Sequence, residues 1–126
     1  MLPQRIPKKA KRASRWRSQA HCNFVRSHAC SACGSTTNIE AAHVRLNGGA
    51  GIGQKPDDWR AVSLCAGPWA NCNSQLGCHD RQHRLGEQTF WQNWGRRDPE
   101  TLIAEFIKAS PKRREIEQVM KERAGG

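Results

Sequence analysis

The sequence predicts a small α+β domain: two short strands and a helix, with further helices at both ends, held by metal as much as by apolar contact. Three observations predict it. The 126 residues amount to one domain, and an apolar content of 37% with 3 Phe and no Tyr makes a thin core, so an ion that adds folding free energy directly is expected. Cysteines recur on both sides of a short segment ending in His43, with Cys30 and Cys33 before it and Cys65, Cys72 and Cys78 after it. His79 and His83 stand four residues apart, and on a helix over residues 76 to 85 they project from one face within reach of one ion.

The elements follow in order. Residues 1 to 17 read as a flexible basic arm in which Pro3 and Pro7 break any early helix. Residues 18 to 95 form the core and residues 96 to 126 a pair of C-terminal helices. Within the core, residues 18 to 26 have weak helical character and lead to the Cys30-Ser-Ala-Cys33 knuckle, where Gly34 suits a tight turn. Residues 38 to 45 alternate as a strand. Gly48, Gly49, Gly51 and Gly53 then supply a flexible hairpin connection. It is no Walker loop, because it lacks the Gly-Lys-Ser/Thr ending and Pro56 blocks the helix start.

Residues 61 to 64 read as a second strand leading into Cys65, and residues 66 to 77 as an inserted loop. Cys78 opens a helix ending near Gly86. Residues 88 to 94 should pack back on the core, with Trp59, Trp91 and Trp94 inside and Trp69 the most exposed. Asp98-Pro99-Glu100 has the form of a helix N-cap, followed by Leu102, Ile103, Phe106 and Ile107 at helical spacing. Pro111 interrupts that helix, and residues 112 to 123 form a second, more polar one.

The formal net charge is +10, and it is uneven: Arg5, Lys8, Lys9, Lys11, Arg12, Arg15 and Arg17 place seven of 21 bases in the arm beside none of the 11 acids. Such an arm suits a polyanion, because each phosphate it neutralises releases counterions. A solvated tail is the alternative reading. No apolar h-region follows the charges and no run approaches transmembrane length. The chain therefore reads as cytoplasmic and not membrane-bound, and in that compartment six cysteines are metal ligands before they are disulfides.

The order strand, His, loop, strand, Cys, His-bearing helix resembles the HNH endonuclease superfamily, the ββα-metal or His-Me finger nucleases. More narrowly it is similar to a phage and prophage group of zinc-containing HNH nucleases. The elements that carry the resemblance are Cys30 and Cys33, Ala42-His43-Val44-Arg45, Gly51 to Asp58, Leu64-Cys65, Cys78-His79, His83, and Gly86-Glu87 with Phe90-Trp91. Together they cover about half of the chain.

The resemblance implies a zinc-stabilised ββα-metal core and a role for each matching position. His43 falls at the general base, a task suited to a near-neutral pKa. His79 and His83 fall where the family holds a catalytic divalent cation, Mg²⁺ or Mn²⁺, against the scissile phosphate. Arg45 would grip a phosphate, and Cys30, Cys33, Cys65 and Cys78 would form a closed structural zinc site. Cys72 is an alternative fourth ligand, because residues 66 to 77 replace the tight second pair of many relatives. Cys22 reads as a buried thiol, and His21 and His28 as structural.

Ala42 stands where a metal ligand is often found, so Glu40 or Asp80 would assist through water. Glu40 is the weaker of the two, since it points to the strand face opposite His43. The implied activity is hydrolysis of DNA, double- or single-stranded, with low sequence specificity. A phage nuclease that depends on a recombinase filament shares this kind of core, and a non-catalytic zinc-stabilised nucleic-acid-binding module is the reading from another class.

Overall fold

Two short strands, each covered by helices, set the frame of the computed structural model, which describes residues 15–46, 55–67, 72 and 76–125. The first strand, β1 (Ile39–His43), pairs antiparallel with β2 (Ala61–Cys65), with Ile39 opposite Cys65 and His43 opposite Ala61. The glycine-rich connection at residues 47–54, most of the insertion and residues 1–14 lie outside the described residues. Every residue of β2 is buried, which requires cover on both faces and explains the unbroken run Ala61-Val-Ser-Leu64.

Helix α1 (Gln19–Arg26) begins where the Ser18 side chain accepts the His21 N–H, a standard N-cap. It packs against β1 and β2. Helix α2 (Gly77–Leu85) packs on β2 and leads through Gly86 into α3 (Glu87–Asn93). Helix α4 (Pro99–Ala109) starts as expected, with Asp98 accepting the Thr101 N–H and Pro99 in the first turn. Helix α5 (Arg113–Gly125) completes the α+β architecture.

The main core joins Val25, Ala42, Val44, Val62 and Leu64 to Phe90, Trp91, Leu102, Ile103 and Phe106, with Cys30, Cys65 and Cys78 inside it. A smaller cluster holds Trp16, Trp59 and Ile116. Trp59 and Trp91 are thus core, as expected. Trp94 is not: it is 45% exposed and carries the Arg81 guanidinium 4.0 Å above its ring. Trp69 lies outside the described residues.

The root of the basic arm is packed. Trp16 is buried against Trp59 at 5.6 Å, and its N–H donates to Asp57 Oδ1 at 2.6 Å. Arg15 pairs with Asp57, and Arg17 with Asp58 at 3.2 Å and with the Pro56 carbonyl. These two bases, expected to contact DNA, are therefore engaged by acids some forty residues away. Lys8, Lys9, Lys11 and Arg12 lie outside the described residues.

Candidate functional site

Three constellations carry chemistry. The first is the cysteine cluster. Gly34, at φ +81°, donates its N–H to the Cys30 carbonyl at 3.0 Å, closing the knuckle turn that a β-carbon would strain. The Sγ atoms of Cys30, Cys33, Cys65 and Cys78 all lie within 4.8 Å of one another, and Cys33 Sγ and Cys65 Sγ are 3.6 Å apart. Four thiolates about 2.3 Å from a tetrahedral zinc stand about 3.8 Å from each other, so these four residues could hold such an ion. Of the two candidates for the fourth position, Cys78 joins the cluster; Cys72 does not, although its Sγ is 3.5 Å from that of Cys78.

Backbone donors aim at two of the sulfurs, Cys33 N–H at Cys30 Sγ at 3.5 Å and Cys78 N–H at Cys65 Sγ at 3.4 Å. The four thiols compete for protons. Cys30 is drawn down to about 4, chiefly by the hydrogen bond from Cys78. Burial pushes Cys33 up and Cys65 up to about 12, and Cys78 rises chiefly because it is the donor to Cys30. Four thiolates in such contact need a dication, whose binding releases their protons.

Gly77 makes the fourth ligand possible. At φ +86° it lies so close to β2 that a β-carbon would meet the Cys65 carbonyl oxygen at 2.6 Å and Ala66 Cα at 2.7 Å. Both obstacles are backbone and cannot yield. Gly77→Ala is expected to cost at least about 2 kcal/mol of stability and to weaken zinc retention, read by urea unfolding and by metal content after dialysis.

The second constellation is the histidine pair. His79 and His83 point the same way from α2, with Nε2 atoms 3.2 Å apart. At the roughly 2.1 Å that imidazole keeps from a metal, nitrogens that far apart subtend about 100° at an ion, an angle that suits four- or six-coordination. Glu40 does not act through water here: its Oε1 takes a direct hydrogen bond from His79 Nδ1 at 2.8 Å. Asp80 turns instead to Arg84 at 2.6 Å.

The third is His43 with Asp58, a residue in the matched stretch to which the sequence assigned no role. His43 Nε2 lies 2.9 Å from Asp58 Oδ1, and Asp58 Oδ2 accepts the Ser18 N–H at 2.8 Å. Burial lowers the His43 pKa, against the raising influence of Asp58. Burial alone would raise Asp58, but the hydrogen bonds from His43 and Ser18 and the Arg17 charge hold it below the usual value. The imidazole is therefore neutral at pH 7 with Nε2–H directed at the carboxylate, which leaves Nδ1 to accept a proton.

Strand alternation sends Glu40 and His43 to opposite faces. The three histidines expected in one site thus fall into two groups: His79 touches both His83 and Glu40, while His43 stands with Asp58. Arg45 is exposed, and its backbone N–H and that of Leu46 are held by the Glu87 carboxylate. His21 is buried with Nδ1 on Ser110 Oγ at 2.8 Å, and His28 bonds the Phe24 carbonyl. Among the described residues neither is hydrogen-bonded to His43, His79 or His83, and Cys22 is a buried thiol, as expected.

His21 is also lowered, first by burial. With both folded-state pKa values below the ordinary 6.5, the unfolded chain binds more protons as pH falls beneath that value. Stability is thus full above about pH 6.5 and declines through the histidine window, whereas Asp58 adds its own loss only below 3.8. Urea midpoints from pH 7.5 to 5 should fall steadily; a flat profile would exclude both shifts.

Compared with protein families, curated proteins and solved structures, the chain matches none. Among the described residues no helix is long and apolar enough to cross a membrane.

Proposed function

We propose that the chain is a metal-dependent endonuclease of the HNH, ββα-metal type that hydrolyses DNA phosphodiester bonds with low sequence specificity. The observation that carries this reading is the imidazole pair, with Nε2 atoms 3.2 Å apart, on the helix that follows the β1–β2 hairpin. A divalent cation held by His79 and His83 would neutralise the scissile phosphate and stabilise charge on the leaving 3′ oxygen.

The remaining roles belong to the chain. His43 Nδ1 takes a proton from the attacking water, and Asp58 fixes the tautomer that exposes this nitrogen. His43 closes β1, and strand alternation turns it from the face of Glu40, the partner of His79, so the substrate phosphate would lie across the strand end to meet both groups. Arg45 and the bases of residues 1 to 14 supply phosphate contacts without base reading. Cys30, Cys33, Cys65 and Cys78 hold a structural zinc that pins α2 to the hairpin.

The test uses purified, zinc-loaded protein with supercoiled plasmid and with single-stranded DNA, in Mg²⁺ or Mn²⁺. Nicked and linear products are expected. Binding without cleavage in either ion would favour the second reading, a non-catalytic zinc-stabilised nucleic-acid-binding module. Two observations favour that alternative: His43 is engaged by Asp58 whereas His79 is engaged by Glu40, and the fully buried Ala42 offers no ligand.

A further inference from the structure

We infer that Glu40 is the positioning residue of the His79–His83 site: its carboxylate holds the His79 Nδ1–H and thereby presents the Nε2 lone pair to the ion. The inference rests on the proposed metal site and adds a component to it. A carboxylate only accepts hydrogen bonds, so the 2.8 Å contact makes His79 Nδ1 the protonated nitrogen. In the neutral ring Nε2 is then the acceptor, and it faces His83 Nε2 at 3.2 Å. Two imidazole nitrogens at that separation, one already committed as a lone pair, converge on a point a dication can occupy.

The placement is built by both elements. Glu40 is the second residue of β1, paired opposite Leu64 of β2, so its backbone is fixed by the hairpin. His79 follows Cys78, which the cysteine cluster ties to Cys65 at the end of the same hairpin. The carboxylate and the imidazole are thus registered by the sheet and the cluster, not by their own contact, and the side chains can remain partly open at 54% and 23% exposure. Asp80, the acid that α2 itself carries beside the pair, is held by Arg84. Glu40 is therefore the acid that fills the outer position which metal-binding histidines regularly require.

Binding of Mn²⁺ to zinc-loaded protein, followed by the electron paramagnetic resonance of the free ion, tests this without reference to cleavage. Manganese is the probe because thiolates hold zinc in preference to it. Removing such an outer carboxylate typically weakens affinity ten- to hundredfold, and a loss in that range is expected for Glu40→Leu. Glu40→Gln, whose amide oxygen still accepts the Nδ1–H, should lose less. In parallel, ¹⁵N spectra of metal-free protein should place the His79 proton on Nδ1 in the intact chain and shift it toward Nε2 in Glu40→Leu.

Manganese affinity and His79 tautomer both unchanged in Glu40→Leu would overturn the inference while leaving the metal site standing. Binding that is also indifferent to His83→Ala would overturn the site itself. Unchanged zinc content and circular dichroism in each variant show that the fold is not the cause, as expected for a side chain this exposed.

Discussion

On the proposed zinc site, stripping the ion from Cys30, Cys33, Cys65 and Cys78 is expected to unfold the domain. Three of these residues, Cys30, Cys65 and Cys78, are 4% exposed or less and sit among Val25, Leu64 and Phe90 in the main core. A structural zinc contributes on the order of 10 kcal/mol or more, while a domain this size has about 5–15 kcal/mol in total. The loss of one therefore approaches the whole of the other. A strong chelator should abolish near-ultraviolet dichroism and amide dispersion together, and Cys30→Ser should do the same without chelator. Cys72→Ser should retain one zinc per chain and the parent midpoint, and His83→Ala should stay folded. Persistence of the cooperative transition after complete metal removal would show that the apolar core suffices by itself.

The second large effect concerns His43. On the proposed chemistry, His43→Ala is expected to lower the nicking rate by about 10²- to 10⁴-fold, the usual contribution of a positioned general base, with DNA affinity little changed. The pH profile distinguishes this from a loss of structure. A base must be neutral to act, so the rate should rise with pH through an apparent pKa below 6.5 and level off by pH 7, because burial depresses the imidazole. Asp58 raises that pKa, so Asp58→Asn should move the rising limb to lower pH while lowering the plateau through loss of the fixed tautomer. A limb left in place by Asp58→Asn would remove the carboxylate from the mechanism. Nicking by His43→Ala at the parent rate would remove the imidazole.

What could be read in the sequence was local. Alternation over residues 38 to 45 and the short segment Ala61-Val-Ser-Leu64 locate both strands to within about two residues, and Asp98-Pro99 marks the start of α4. The cysteine order also foretold the cluster. What escaped was contact between distant segments. Trp94 follows Phe90 at helical spacing, yet α3 ends at Asn93 and Trp94 adopts φ −120°, so periodicity no longer predicts its direction and the ring meets Arg81. Alternation set Glu40 opposite His43, but only the docking of α2 brings His79 to its carboxylate. The charge of Arg15 and Arg17 was plain, whereas Asp57 and Asp58, their partners across some forty residues, gave no local sign. Cys78 prevailed over Cys72 because Gly77 permits the close passage beside Cys65, a steric fact that spacing does not encode.

The four sulfurs come from both sides of the hairpin, two before β1, one at the end of β2 and one in α2. An ion among them is a cross-link that closes a ring around the strands and their connection. Within such a ring, the entropy of joining the ends has already been met, and doubling the length of a flexible connection adds only about 0.6 kcal/mol. Insertions between Leu46 and Lys55 should therefore carry little thermodynamic penalty, leaving the register of β1 and β2 and the buried Val44 and Asp57 untouched.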